Sequence, residues 1–349
     1  LKQWLAKRRS KRDLFIKDKV SFMKKLSELL AEGYHFSEAI IVLLPHHVKN
    51  VELATTTIME QLREGHGVVE VMELFAVAPH HLITFTIAER DGEMIAAFAR
   101  VAEQIATEER LKQKFRQAML YPATLLTLLF FMFLVFRTAF FPRIAAITAE
   151  RQTTAADEVR LYELLLYLPD FFLFLFVSIS LSIIAVTYYI RKQPIEQQLR
   201  IQRRLVLWRT IHKTRLTRQF AAHLGALLHA GISLQDSLLI LRQQTYHAYI
   251  RYIAMATHEQ VLQGTPLPTV IALSDDLAPQ LLMFIEHGEK SGFLSKELLI
   301  YSELLEERTT KWLERLISAM QPLLFVIIAL CIVAAYVSLL VPIYNMMKF

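Results

Sequence analysis

Residues 22–40 read FMKKLSELLAEGYHFSEAI, and residues 220–238 read FAAHLGALLHAGISLQDSL. Phe22 aligns with Phe220, Leu30 with Leu228, Gly33 with Gly231 and Glu38 with Asp236. Further on, AERDGEMIAAFARVAE (88–103) matches GEKSGFLSKELLIYSE (288–303), so that Glu89 meets Glu289, Gly92 meets Gly292 and Glu103 meets Glu303. The prolines repeat too: Pro122 with Pro322 and Pro142 with Pro342. A repeat this long is one duplication of a domain-sized unit and not a solenoid.

Each copy reads as helical. Ile16, Val20, Met23, Leu26 and Leu30 fall on one helical face. Gly33 and Gly231 stand where the residue just past a helix belongs, and Ser233 with Asp236 gives a capping-box pattern for the next helix. Gly65 and Gly264 each follow another helical run, and few stretches alternate with period two. The pattern predicts two small helix bundles, each leading into a membrane helix.

Composition agrees with that plan. Of 349 residues, 54% are hydrophobic and 21% charged, with a net charge of +6. This is too apolar for a disordered chain and too charged for one buried in lipid throughout. A lone cysteine, Cys331, excludes an internal disulfide and a cysteine zinc cage, and nine glycines are few for a nucleotide-binding sheet. The basic N-terminus has no apolar run behind it, so no secretory signal is expected in it.

Three segments are long and apolar enough to span about 30 Å of hydrocarbon, which takes about 20 residues. The expected division is a first bundle over 1–118, a span over 119–141, an external loop over 142–163, a span over 164–190, a second bundle over 191–319 and a span over 320–347. Ten Lys/Arg fall in the first 25 residues, and a second basic run follows residue 190. The loop over 142–163 has three, offset by acids. The positive-inside rule therefore places the N-terminus and both bundles in the cytoplasm and the C-terminus outside. The fold class expected is an all-α integral membrane protein with two repeated cytoplasmic helix bundles and three transmembrane helices.

The duplicated unit carries the turn Leu-Leu-x-x-Gly-x-x-Phe/Leu-x-Glu/Asp in both copies, the signature Gly-Glu-Lys-Ser-Gly-Phe-Leu at 288–294, and a Tyr121-Pro122 entry into the first span. These features resemble the type II secretion system F family, over nearly the whole chain. The first copy departs from the signature, reading Ala88-Glu89-Arg90-Asp91-Gly92. The short region before Phe22 and the basic, Gln-rich character look like the competence-pilus branch. The resemblance implies a non-enzymatic platform, without a cofactor, in the bacterial cytoplasmic (inner) membrane. Its implied partners are a hexameric motor ATPase, major and minor pilins, and further copies of itself in a homo-oligomer. In a competence system the fibre would serve DNA uptake. A protein-secretion or retractable-pilus platform is the alternative, and a membrane enzyme or transporter a distant one.

No Gly-Lys dipeptide exists, so the chain has no P-loop of its own. Gly-x-x-Ser-Gly at 288–292 is not the Gly-x-Ser-x-Gly of a nucleophile elbow, and no catalytic residue is expected. Candidate motor contacts are Glu89, Asp91, Gly92, Glu286, Glu289 and Gly292. Ser178/Ser182 and Ala334/Ser338 are small-residue pairs suited to close helix packing in the membrane. Arg191, Lys192, Arg200, Arg203 and Arg204 form a juxtamembrane basic cluster that attracts anionic membrane lipids. With Trp208 the single nearby aromatic, direct nucleic-acid binding is not expected. The pairs His46-His47 and His80-His81 lack helical i,i+4 spacing, so they read as solvated histidines and no metal site is expected.

Overall fold

The computed structural model describes residues 16–135 and 206–347, with scattered positions between 138 and 198. Among the described residues there are helices and no strands, in two parallel series. The first copy contributes α1 (Lys19–Ala31), α2 (Phe36–His47), α3 (Val51–Arg63), α4 (Val68–Leu74), α5 (Pro79–Asp91) and α6 (Met94–Val135). The second contributes α7 (Val206–His229), α8 (Leu234–Gln243), α9 (Ala248–Leu262), α10 (Leu267–Ala272), α11 (Gln280–Ser291) and α12 (Leu294–Met347). The all-helical, duplicated fold is as the sequence predicts.

Local chemistry sets the boundaries. Asp18 opens α1 by accepting from Ser21 N at 2.9 Å, and Asn50 opens α3 by accepting from Leu53 N at 3.2 Å. Ser233 opens α8: its Oγ accepts from Asp236 N at 3.2 Å and donates to Asp236 Oδ2 at 2.6 Å. Gly33, Gly65 and Gly92 all have positive φ, as do Gly231, Gly264 and Gly292 at the same places in the second copy. Only glycine takes that conformation without a Cβ penalty, which is why these glycines recur in register.

The chain divides into two compact units. The first joins Leu1–Arg110 with Pro194–Thr310, so both helix bundles belong to it. One core gathers Phe22, Met23, Leu26, Ile40, Phe75, Phe85 and Phe98 of the first copy. Its rings meet edge-on or tilted, Phe22 to Phe75 at 5.5 Å and Phe85 to Phe98 at 4.7 Å. The other core holds Phe220, Leu241, Leu281, Ile285 and Tyr301 of the second copy, with Phe284 stacked on Tyr301 at 4.4 Å. Ile83 and Ile87 of α5 belong to this second core, while Tyr246 packs on both. The two repeats are thus joined through α5 and α7.

The second unit comprises Leu111–Gln193 and Lys311–Phe349. Within it Lys114 and Glu314, counterparts in the two copies, form an ion pair at 2.6 Å. Tyr121 meets Phe325 edge-on with centroids 5.8 Å apart. Leu129, Phe133, Ile328, Cys331 and Ala334 are buried, whereas Leu128, Phe131, Val135, Leu323, Val326, Val333 and Tyr336 are exposed. Exposed apolar rows on two long helices are out of place in water and at home in lipid. Helices α6 and α12 each carry an 18-residue window apolar enough to cross a membrane. They hold the first and third expected spans; of the second, residues 184–190 are helical and most of the rest lie outside the described residues.

Candidate partner-binding site

The acidic candidates cluster at two equivalent turns, α5–α6 and α11–α12. In the second turn Gly292 ends α11 with φ +76°, and Leu294 opens α12. A Cβ on Gly288 would lie 2.7 Å from Leu294 Cα, so the first glycine of Gly-Glu-Lys-Ser-Gly exists to let the two helices approach. The signature is a tight helix–helix corner. In the first copy Gly92 ends α5 with φ +80°, and Asp91 Oδ1 accepts from Glu93 N at 2.9 Å at the start of α6. Ala88, in the place of Gly288, is buried.

The two signature glutamates have different surroundings. Glu89 Oε1 accepts from Val69 N at 3.2 Å, at the N-terminus of α4, where Glu70 Oε2 also accepts from Gly67 N at 2.9 Å. A side chain on Gly67 would collide with the Glu89 carboxylate. Partial burial raises the Glu89 pKa while the backbone N–H groups of Val69 and Val68 oppose that rise. In the second copy Pro266 replaces Gly67 and Pro268 replaces Val69. Proline has no N–H to give. Among the described residues Glu289 has no hydrogen-bond or ion-pair partner, and partial desolvation raises its pKa. Glu286 is exposed on the same helix, beside the exposed Met283 and near the exposed Phe293. Neither Met283 nor Phe293 was an expected contact; their one sequence signal is a large apolar residue beside the signature.

The membrane candidates divide. Ser178 and Ser182 are exposed and Ala334 is buried; the Ser338 side chain lies outside the described residues. Lys192 is exposed, its ammonium 4.5 Å from the Tyr188 ring centroid, a cation–π contact. Arg191, Arg200, Arg203 and Arg204 lie outside the described residues.

Of the two histidine pairs, His46 is exposed as expected, while His47 and His81 depart from expectation. His47 packs in the first core against Phe22, and His81 is 2% exposed. His81 opens α5, where its Nδ1 lies 3.1 Å from Gln104 Oε1 of α6. Burial, then the neighbouring His80, lowers its pKa to about 4. His223 of α7 is also buried and lowered to about 3, and His247 to about 4, both chiefly by desolvation. Sequence spacing could not show this, because the covering groups come from other helices.

The family model described as type II secretion system (T2SS), protein F, matches residues 22–142 and again 220–342. ComG operon protein 2 homolog of Halalkalibacterium halodurans is 24% identical, over 91% of this chain and 99% of its own length. ComG operon protein 2 of Bacillus subtilis is 24% identical, over 92% and 99%. Type II secretion system protein F of Vibrio cholerae is 20% identical, over 96% and 84%. With both halves of its duplication matched separately, and with exposed apolar segments on α6 and α12, the chain belongs to the type II secretion system F family, in the branch that holds the ComG proteins.

Proposed function

We propose that this chain is a non-enzymatic inner-membrane platform for assembly of a competence-type pilus or pseudopilus. It couples a hexameric cytoplasmic motor ATPase to the extraction of pilins from the membrane. The observation that carries the motor contact is α11, whose exposed face combines Glu289, unpaired among the described residues, with Glu286, Met283 and the nearby Phe293. An apolar anchor ringed by carboxylates suits a basic partner surface. The exposed apolar rows of α6 and α12 would receive pilin helices. Anionic lipids would hold the basic cluster at 191–204, and the bundles would face the cytoplasm, with the C-terminus outside. The fibre would serve DNA uptake. The 20% identity to a type II secretion protein supports a protein-secretion platform as the second reading.

The test is gentle-detergent purification of the full chain from its native host, with crosslinking and mass spectrometry. Recovery of a hexameric ATPase together with a pilin is expected, and the pilin separates DNA uptake from secretion. Glu289→Lys should lose the ATPase and keep the pilin, whereas Glu93→Lys in the first copy should keep both. Recovery of neither partner from the unaltered chain would overturn the reading.

A further inference from the structure

The start of α5 and the middle of α6 bring three metal-binding side chains together. His80 Nε2 lies 3.2 Å from Glu108 Oε1, and His81 Nε2 lies 3.8 Å from the same oxygen. One ligand atom from each of the three residues falls within 4.8 Å of the others. Two ligands at about 2.0–2.1 Å from a tetrahedral zinc ion lie about 3.3–3.4 Å apart, so small side-chain shifts would complete the geometry. The sequence argument against adjacent histidines fails here. The rings of His80 and His81 are tilted together with centroids 4.0 Å apart at the first turn of α5, and α6 supplies the third group.

His81 gives the second, independent observation. Gln104 Oε1 can only accept, so the Nδ1 atom facing it carries the proton. That leaves Nε2 as a bare lone pair. The atom is buried and has no hydrogen-bond partner. It faces a carboxylate oxygen of the partly exposed Glu108, so two electron-rich atoms stand 3.8 Å apart. A proton or a cation between them would relieve this. The Nδ1–H to Gln104 contact is also the arrangement by which an amide or carboxylate orients a ligating histidine.

We infer that His80, His81 and Glu108 form a binding site for a borderline divalent transition-metal ion of the Zn2+ class. Two imidazoles and one carboxylate match that class and not the all-oxygen shell of calcium. The ion would clasp the first turn of α5 to α6, the helix that carries the first apolar window. Three protein donors leave a tetrahedral position for water.

The test uses the full-length protein in detergent, with a histidine-free tag, stripped by chelator. Co2+ alone is the probe, read by its visible absorption, with Zn2+ and Ca2+ as competitors. One equivalent should bind and be displaced by Zn2+ but not by Ca2+. His80→Gln and Glu108→Gln should each weaken binding at least about tenfold, and Gln104→Leu, which acts only through His81, about tenfold. His46→Gln should change nothing. Circular dichroism of the metal-free variants shows that they are folded, and where one is not, the other two decide. Absence of saturable binding, binding indifferent to His80→Gln and Glu108→Gln, or displacement by Ca2+ would each overturn the inference.

Discussion

Helices α5 and α11 hold the same place in the two repeats and meet opposite surroundings. Ile83 and Ile87 of α5 are 1% and 4% exposed, packed into the core of the second copy. Their counterpart Met283 of α11 is 63% exposed, and His287, in the place of Ile87, is exposed as well. The first copy has used this face to hold the repeats together; the second still presents it. The signature glutamates follow the same division. Glu89 is tied to the N-terminus of α4, while Pro268 has removed the donor that would tie Glu289. Duplication gave two equal surfaces. Divergence turned one into structure and left the other open.

The largest expected effect is acid, and it weighs more on the second copy, which holds two histidines lowered to about 4 or below where the first holds His81 alone. His223 and His247 of the second copy have folded pKa values of about 3 and about 4. An unfolded histidine titrates near 6.5, so between those values the unfolded chain binds more protons. Stability is therefore full above pH 6.5 and falls as the pH is lowered toward 4. Each such histidine costs about 1.4 kcal/mol per pH unit in that window. Denaturant titrations at pH 7 and pH 5 should show a steep loss, and His223→Gln should flatten it. An unchanged slope would mean that His223 is not buried as described.

Next in size is the corner at Gly288. Gly288→Ala drives a Cβ into Leu294 and should destabilise by about 1–3 kcal/mol, as overpacking does. The reciprocal Ala88→Gly should cost only about 0.5–1 kcal/mol, the backbone effect of glycine within a helix. Comparable losses would show that the two corners are equally tight.

The glutamates sharpen the comparison at about 1 kcal/mol. Glu89→Ala removes a capping acceptor from α4 and should cost about 0.5–2 kcal/mol. Glu289→Ala should stay within about 0.5 kcal/mol, because it removes no bond. Equal thermal shifts for the two would remove the asymmetry on which the motor contact rests.

The smallest effect lies at Lys114 and Glu314, a partly exposed pair formed by counterpart positions. An exposed pair of this kind contributes about 0.2–1 kcal/mol. Glu314→Lys should cost about that much, and adding Lys114→Glu should restore it. Failure of the double exchange to restore stability would show that the pair carries no coupling.

Much of this protein follows from local rules that the sequence states outright. Glycines with positive φ must recur wherever the same helix end recurs, so the duplication was legible at Gly33/Gly231, Gly65/Gly264 and Gly92/Gly292. Ser233 needs only Asp236, three residues away, to cap α8. Long runs of apolar residues declare α6 and α12 by length alone. What the tertiary structure decided depends on groups far apart in the chain. His81 reads as solvated until Gln104 and Glu108 of the next helix cover it. Ile83 reads as part of its own bundle until it is found in a core built from residues 216–305. Glu89 reads as a candidate motor contact until Val69 N, twenty residues before it, donates to it. Periodicity reports which face of a helix is apolar; only packing decides what that face meets, because burial and desolvation belong to the neighbours and not to the residue itself.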